Sequence, residues 1–280
     1  MVAPPRTALI AGATGLVGRA LLSLLLASKH YRSVHVLLRR APPDFEASEK
    51  LKIHQVDFTR LPATFPAVDD AFIALGTTIK IAGSEAAFRQ VDFDFVVNIA
   101  RAARAAGATR LAVVSALGAD PTSRIFYNRV KGEMEIAVMQ IGYESVVIAQ
   151  PSLLLGDRAA LGQPPRSSEI WAARLLAPLG WIMPKGVRPI PARAVASALL
   201  EAILDAKPGV RVLKSGAMQT GDQPSRVASL QRCIACRGAF LVGGAGVGQQ
   251  LHLPSLLPAS RPISDGRSST FDLDPLHAKG

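Results

Sequence analysis

Short apolar runs alternate with longer stretches of helical spacing through the first 150 residues. Thr7–Ala11, Val34–Leu38, Lys52–Val56, Ala71–Leu75, Arg110–Val114 and Ser145–Ala149 each read as a strand. Between them, Arg19–Leu26 reads as an amphipathic helix. Val96–Ala106 reads as another, with alanines and arginines at helical spacing and Gly107 just past its end. A third helical run opens at Tyr127 and continues through Ile141, with Gly142 as its stop. Short apolar strands separated by helices predict a parallel sheet covered on both faces. Right-handed crossovers then make the fold doubly wound, with ligands at the C-terminal strand ends. The rhythm breaks at Gln163–Gly186, which holds Pro164-Pro165, a helical stretch Glu169–Leu176 and two further prolines. It resumes with a helix over Pro191–Ala206 and a short strand at Arg211–Leu213. From Gly221 regular alternation is lost, so the boundary is drawn there: a domain over 1–220 and an irregular tail over 221–280, disordered or loosely docked.

The first strand and first helix are joined by Gly12-Ala13-Thr14-Gly15-Leu16-Val17-Gly18. In such a strand–turn–helix unit, backbone N–H groups and the positive end of the helix dipole face an anion. One glycine permits the tight turn, a second lets a phosphate approach, and a third lets helix pack on strand. The spacing is G-x-x-G-x-x-G rather than G-x-G-x-x-G, and it is the order strand, turn, helix that argues for a dinucleotide site. A second glycine cluster, Phe240–Gly248, has no helix after it and reads as a decoy.

The net charge of +11 raises the possibility of a nucleic-acid partner. The basic excess is diffuse, however, and only 5% of residues are aromatic, which is poor for base stacking. A field that attracts an anionic cofactor or substrate is the simpler reading. No segment reaches the roughly 18 uninterrupted apolar residues of a membrane span. The N-terminus lacks the pattern of a signal peptide, so a cytoplasmic location is expected. Cys233 and Cys236 form one C-x-x-C pair that nothing completes into a metal or redox site. No metal, nucleic-acid or membrane partner is therefore expected, and oligomeric state is open.

The fifth strand runs into Ser115, and twelve residues later comes Tyr127-Asn128-Arg129-Val130-Lys131. Tyr127 and Lys131, at i and i+4, share one helix face. A tyrosine ordinarily keeps its proton to near pH 10, and a nearby ammonium favours the phenolate. A serine at a strand's C-terminal end can donate a hydrogen bond to a substrate oxygen. By itself Y-x-x-x-K usually marks a solvated surface pair; its place after the fifth strand, behind the glycine turn, makes it a candidate acid–base pair.

These features together resemble the short-chain dehydrogenase/reductase superfamily, and more closely its atypical branch around the HIV Tat-interacting protein, an NADPH-binding oxidoreductase-like group. The stretches that carry the resemblance are Gly12–Gly18, Leu75–Thr78 with Ala82-Gly83, Val91-Asp92, and Ser115 with Gly118-Ala119-Asp120. Tyr127 with Val130–Glu133, and Pro151 with Leu154-Leu155 and Asp157-Arg158, complete it. The resemblance spans roughly residues 6–219. It implies a Rossmann-type doubly wound parallel sheet with a small C-terminal substrate-covering segment. It also implies that Ser115 positions a carbonyl, Tyr127 transfers the proton, and Lys131 assists it and holds the nicotinamide ribose. Gly12, Gly15 and Gly18, with Thr14, Leu16 and Val17 between them, would line the pyrophosphate. Asp57-Phe58 would lie beside adenine, Leu75, Gly76 and Thr77 along the cofactor, and Pro151-Ser152 beside the nicotinamide. Gln150 departs from the arginine often found there and leaves the contacts at that point in doubt. Asn98 is weighed as an auxiliary asparagine and not assigned on spacing alone.

Arg39-Arg40 follow the second strand, where an acid would bind the ribose 2′-OH of NAD and a base accommodates the 2′-phosphate of NADP. The first acid after that strand is Asp44, beyond Pro42-Pro43, so NADP (NADPH) is the expected cofactor. The resulting expectation is an NADP(H)-dependent oxidoreductase acting on a carbonyl/alcohol pair of a small-molecule substrate. The first rival is a non-catalytic NADP(H)-binding regulatory protein of the same fold. A sugar-nucleotide epimerase or dehydratase is third, because its substrate domain is normally larger than Gly156–Arg211. Nucleic-acid binding is fourth.

Overall fold

The structure, a computed structural model, describes residues 4–40, 45–62, 64–156 and 186–220, all within the first of the chain's two units, Met1–Cys233. The sequence readings at Glu169–Leu176, in the tail 221–280, at Cys233 and Cys236 and at Phe240–Gly248 lie outside these residues.

Seven parallel strands form one sheet in the order β3-β2-β1-β4-β5-β6-β9. They are β1 (Arg6–Ala11), β2 (Tyr31–Leu38), β3 (Leu51–Gln55), β4 (Asp70–Ile73), β5 (Arg110–Val114), β6 (Ser145–Gln150) and β9 (Gly209–Lys214). A separate two-stranded pair joins β7 (Leu154–Leu155) to β8 (Ile190–Pro191). The major helices are α1 (Leu16–Ala27), α4 (Phe95–Ala105), α5 (Phe126–Met139) and α6 (Ala192–Leu204). Short helices α2 (Ile79–Ala82) and α3 (Glu85–Arg89) precede α4, and α7 (Ser215–Thr220) follows β9.

Strand pleating explains why the apolar runs are unbroken. In β1, Ala8 and Ile10 face one side, with α1 and α6, while Leu9 and Ala11 face the other, with α4 and α5. β5 does the same with Ala112 and Val114 against Leu111 and Val113, and β6 with Val147 and Ala149 against Val146 and Ile148. A strand buried on both faces needs apolar residues at every position. The strand order reverses direction at β1, which pairs with both β2 and β4. That reversal opens a crevice at the C-terminal strand ends, where ligands bind in this architecture.

The opposite end of the sheet is closed by a buried polar cluster. Tyr31 Oη donates to Asp70 at 2.6 Å, and the guanidinium groups of Arg6 and Arg110 lie 3.1 and 3.7 Å from its carboxylate. These groups satisfy one another across β1, β2, β4 and β5 and take no part in the cleft.

Candidate functional site

At the strand reversal the chain leaves β1 through Gly12 and enters α1 at Leu16. Gly12 has φ +90°, and a Cβ there would stand 2.4 Å from the Ala74 carbonyl oxygen after β4. A Cβ on Gly18 would stand 2.0 Å from the Gly12 carbonyl oxygen. Both glycines are demanded by close backbone packing. Gly15 differs: its φ of −83° suits any residue, and a Cβ would meet nothing nearer than the Gly12 oxygen at 3.5 Å. The space over Gly15 is the cradle a ligand can enter. α1 has no side-chain cap and no acid in its first turn, so the positive end of its dipole meets no acid of its own there.

A contrast between variants follows. Gly18→Ala is expected to lower the thermal midpoint sharply, because two backbones must part. Gly15→Val should fold with a near-wild-type midpoint yet weaken dinucleotide binding at least about tenfold, by filling the cradle. Thermal melts and titrations of both variants check this; equal melting losses would refute it.

From this turn a cleft of about 640 Å³ extends across the strand ends. Gly12, Thr14, Gly15, Leu16 and Val17 line one wall, and Leu75, Gly76 and Thr77 run along the floor after β4. Arg39 and Arg40 stand at one end, and Ser115, Tyr127 and Lys131 at the other. Of the residues assigned from sequence, Gly18 lies buried beneath the turn and does not line the cleft. Asp57 is exposed and turns its carboxylate back on Thr59. Phe58 is buried edge-on to Phe95, and the Arg39 guanidinium lies over both rings, 5.8 and 5.7 Å from their centroids. Phe58 therefore shapes the site by seating Arg39. Pro151 accepts a hydrogen bond from Leu117 N–H at 2.9 Å. The Ser152 hydroxyl donates to the Arg188 carbonyl and lies 2.8 Å from Ser215 Oγ on α7, so it closes a loop and is absent from the lining.

β5 and α5 bring Ser115, Tyr127 and Lys131 together. β5 ends where Ser115 emerges, its N–H bonded to the Ala149 carbonyl at 2.7 Å. α5 presents Tyr127 and Lys131 one turn apart, with the Tyr127 ring 5.2 Å from Phe88. Gly132 allows α5 to press on the preceding loop, where a Cβ would stand 2.2 Å from Pro121 N.

Two buried acids beside these residues are not among those assigned from the sequence. Asp92 lies in a π-helical turn, Gln90–Asp94, between α3 and α4, where Phe95 N–H reaches the Gln90 carbonyl. Such wide turns are often found at functional sites. Its buried carboxylate stands 2.7 Å from Lys131 Nζ and accepts Thr77 N–H at 2.9 Å. Burial alone would pull the Lys131 ammonium down, but Asp92, with Tyr127 beside it, holds it above its ordinary range. Glu135, one turn beyond Lys131 and equally buried, accepts from the Ser115 hydroxyl. The Gln150 amide donates to both Glu135 oxygens, at 2.8 and 2.9 Å, which places the contacts left open at that position. Asn98, by contrast, is exposed on α4.

Residues 12–143 match the family described as NAD(P)H-binding. Protein HTATIP2 of Rattus norvegicus is 34% identical over 173 residues, covering 60% of this chain and 69% of that protein. The mitochondrial protein FMP52 of Coccidioides immitis is 34% identical over 165 residues, covering 54% and 67%. The chain belongs to this family, an atypical branch of the short-chain dehydrogenase/reductases. It spans about two thirds of the length of the curated relatives it matches. Among solved structures, MoeE5 in complex with UDP-glucose and NAD aligns with a TM-score of 0.57 at 17% identity, covering 78% of this chain and 83% of that one. The Bordetella bronchiseptica enzyme WbmG in complex with NAD aligns with a TM-score of 0.55 at 15% identity, covering 86% and 80%. At these identities the likeness carries the fold: a Rossmann-type sheet of the dehydrogenase and epimerase kind. The cytoplasmic location expected from the N-terminus is overturned, because FMP52 relatives from three fungi are each named mitochondrial. Among the described residues no helix is long and apolar enough to cross a membrane.

Proposed function

We propose that the protein is an NADP(H)-dependent oxidoreductase that interconverts a carbonyl and an alcohol on a small molecule. The observation that carries this reading is that Ser115, Tyr127 and Lys131 line the same cleft as the glycine turn and the Arg39–Arg40 pair. A nicotinamide bound there supplies the hydride. The turn and the N-terminus of α1 would hold the pyrophosphate, Tyr127 would give the proton to the carbonyl oxygen, and Ser115 would fix that oxygen in place. Lys131, kept charged by Asp92, favours the phenolate that remains and would hold the ribose. Mitochondrial residence is the location that the relatives' names support.

Preference for the phosphorylated dinucleotide rests on Arg39 and Arg40. Among the described lining residues Asp92 is the one acid, and Lys131 neutralises it, so a 2′-phosphate meets no opposing charge. Charge-assisted bonds to such a phosphate contribute about 1.5–3 kcal/mol each. Arg39→Ala/Arg40→Ala should therefore weaken NADPH at least about tenfold while changing NADH little. Fluorescence titration with both cofactors measures this, and equal losses would reject the assignment.

A specific observation also supports a second reading, a non-catalytic NADP(H)-binding regulator: the Ser115 hydroxyl is committed to Glu135. A panel of aldehydes and ketones followed at the NADPH absorbance separates the two. Turnover supports the enzyme; NADPH binding with no turnover supports the regulator.

A further inference from the structure

We propose that Glu135 is a positioning residue that decides whether Ser115 presents its proton or its lone pairs to the cleft, an inference that rests on the Ser115–Tyr127–Lys131 reading above. A serine hydroxyl has one proton to donate. In this structure Ser115 gives it to Glu135 Oε1, inside a network whose polarity is fixed from its far end. Lys214, on β9, is a donor only, so the Gln150 oxygen must face it. The Gln150 amide nitrogen then faces Glu135 and donates to both carboxylate oxygens. Every donor in the chain therefore points at Glu135, and Ser115 shows the cleft lone pairs alone. In that state Ser115 accepts from a substrate alcohol. When Glu135 takes up a proton, its carboxyl O–H donates to Ser115 Oγ, and the serine O–H is released to hold a substrate carbonyl.

The groups facing Glu135 are Ser115 at the end of β5, Gln150 at the end of β6, Lys214 on β9 and Lys131 one turn earlier on α5. Burial pushes the carboxyl above the usual carboxylate range, against the lowering that these four exert. The Glu135 side chain is almost wholly enclosed, as is Gln150. It sits behind the serine, away from the cleft lining, and so acts through Ser115.

The test uses the full chain labelled with carboxyl-13C glutamate. The Glu135 resonance is identified by its absence in Glu135→Gln and followed against pH in wild type, Ser115→Ala and Lys214→Met. Ser115→Ala should raise the Glu135 midpoint by about one pH unit, because a donor to the charged form is lost. Lys214→Met should raise it by less, since Lys214 acts through Gln150. A midpoint that does not move in Ser115→Ala overturns the proposal. A second measurement follows reduction of whichever ketone from the panel turns over. In wild type kcat should fall as Glu135 loses its proton, and in Glu135→Gln, whose side chain has no proton to titrate, that limb should flatten. A wild-type profile retained in Glu135→Gln also overturns it. If no ketone turns over, the catalytic reading fails separately, and the carboxyl titration still decides the link between Glu135 and Ser115.

Discussion

Tyr127→Phe is expected to cut reduction of any carbonyl the protein accepts by about 100-fold or more, the usual contribution of a positioned proton donor. NADPH affinity and the thermal midpoint should stay near wild type. The ring supplies the packing: it sits 5.2 Å from Phe88 and is tilted 36° to it, and Phe88 is itself fully buried. Phenylalanine keeps that contact and loses the phenolic proton alone. The measurement is kcat by NADPH absorbance beside a binding titration and a melt. A variant that keeps near-wild-type kcat would remove Tyr127 from the chemistry. A variant that loses kcat, binding and stability together would assign the residue to packing.

The second large effect is expected at the buried ion pair. Asp92 and Lys131 are both nearly inaccessible and 2.7 Å apart. Removing one member of such a pair strands the other charge away from water, at a cost of about 3–5 kcal/mol. Asp92→Asn and Lys131→Met should each lose stability on that scale. The double variant Asp92→Asn/Lys131→Met buries no charge, and its asparagine oxygen can still accept Thr77 N–H. It should be more stable than either single variant while lacking activity. Urea unfolding of the four proteins forms a double-mutant cycle. Additive losses in the double variant would show that the two charges do not depend on each other.

These two predictions differ in how visible their residues are from sequence. The strands were legible because a doubly buried sheet writes unbroken apolar runs. The glycine turn was legible because its neighbours in sequence are also its neighbours in space. Tyr127 and Lys131 were legible because helical spacing puts i and i+4 on one face. Asp92 and Lys131 are 39 positions apart, and their meeting depends on a π turn that no simple periodicity announces. A local signal for that region did exist. Thr78 and Ser84 cap α2 and α3 through their side chains, and Gly83 at φ +87° separates the two helices. The spacing of alanines and arginines announces a helix only from Val96. Glu135 was hidden differently: an acid inside a helix with charged neighbours reads as a solvated face, and only the packing of β5, β6 and β9 around it reveals a buried group. Gly18 was assigned to the cleft by motif position, but the Gly12 carbonyl directly above it leaves no opening there. The location failed because the pattern at an N-terminus is weak ground for a compartment.

The segment 116–125 between β5 and α5 bears on how this cleft can change over evolutionary time or at an engineer's hand. Surface connections usually tolerate insertions. This one is fastened along its length: Leu117 N–H to the Pro151 carbonyl, Asp120 N–H to the Asn128 carbonyl, Arg129 to the Ser123 carbonyl, and Pro121 against the bare backbone of Gly132. Ser115 directly precedes it, and Tyr127 lies in the first turn of α5 that follows it. An added residue anywhere within it would have to be absorbed by moving one of those side chains relative to the other, so the segment behaves as a spacer of fixed length. New substrate preferences are more readily grafted onto other rims of the cleft.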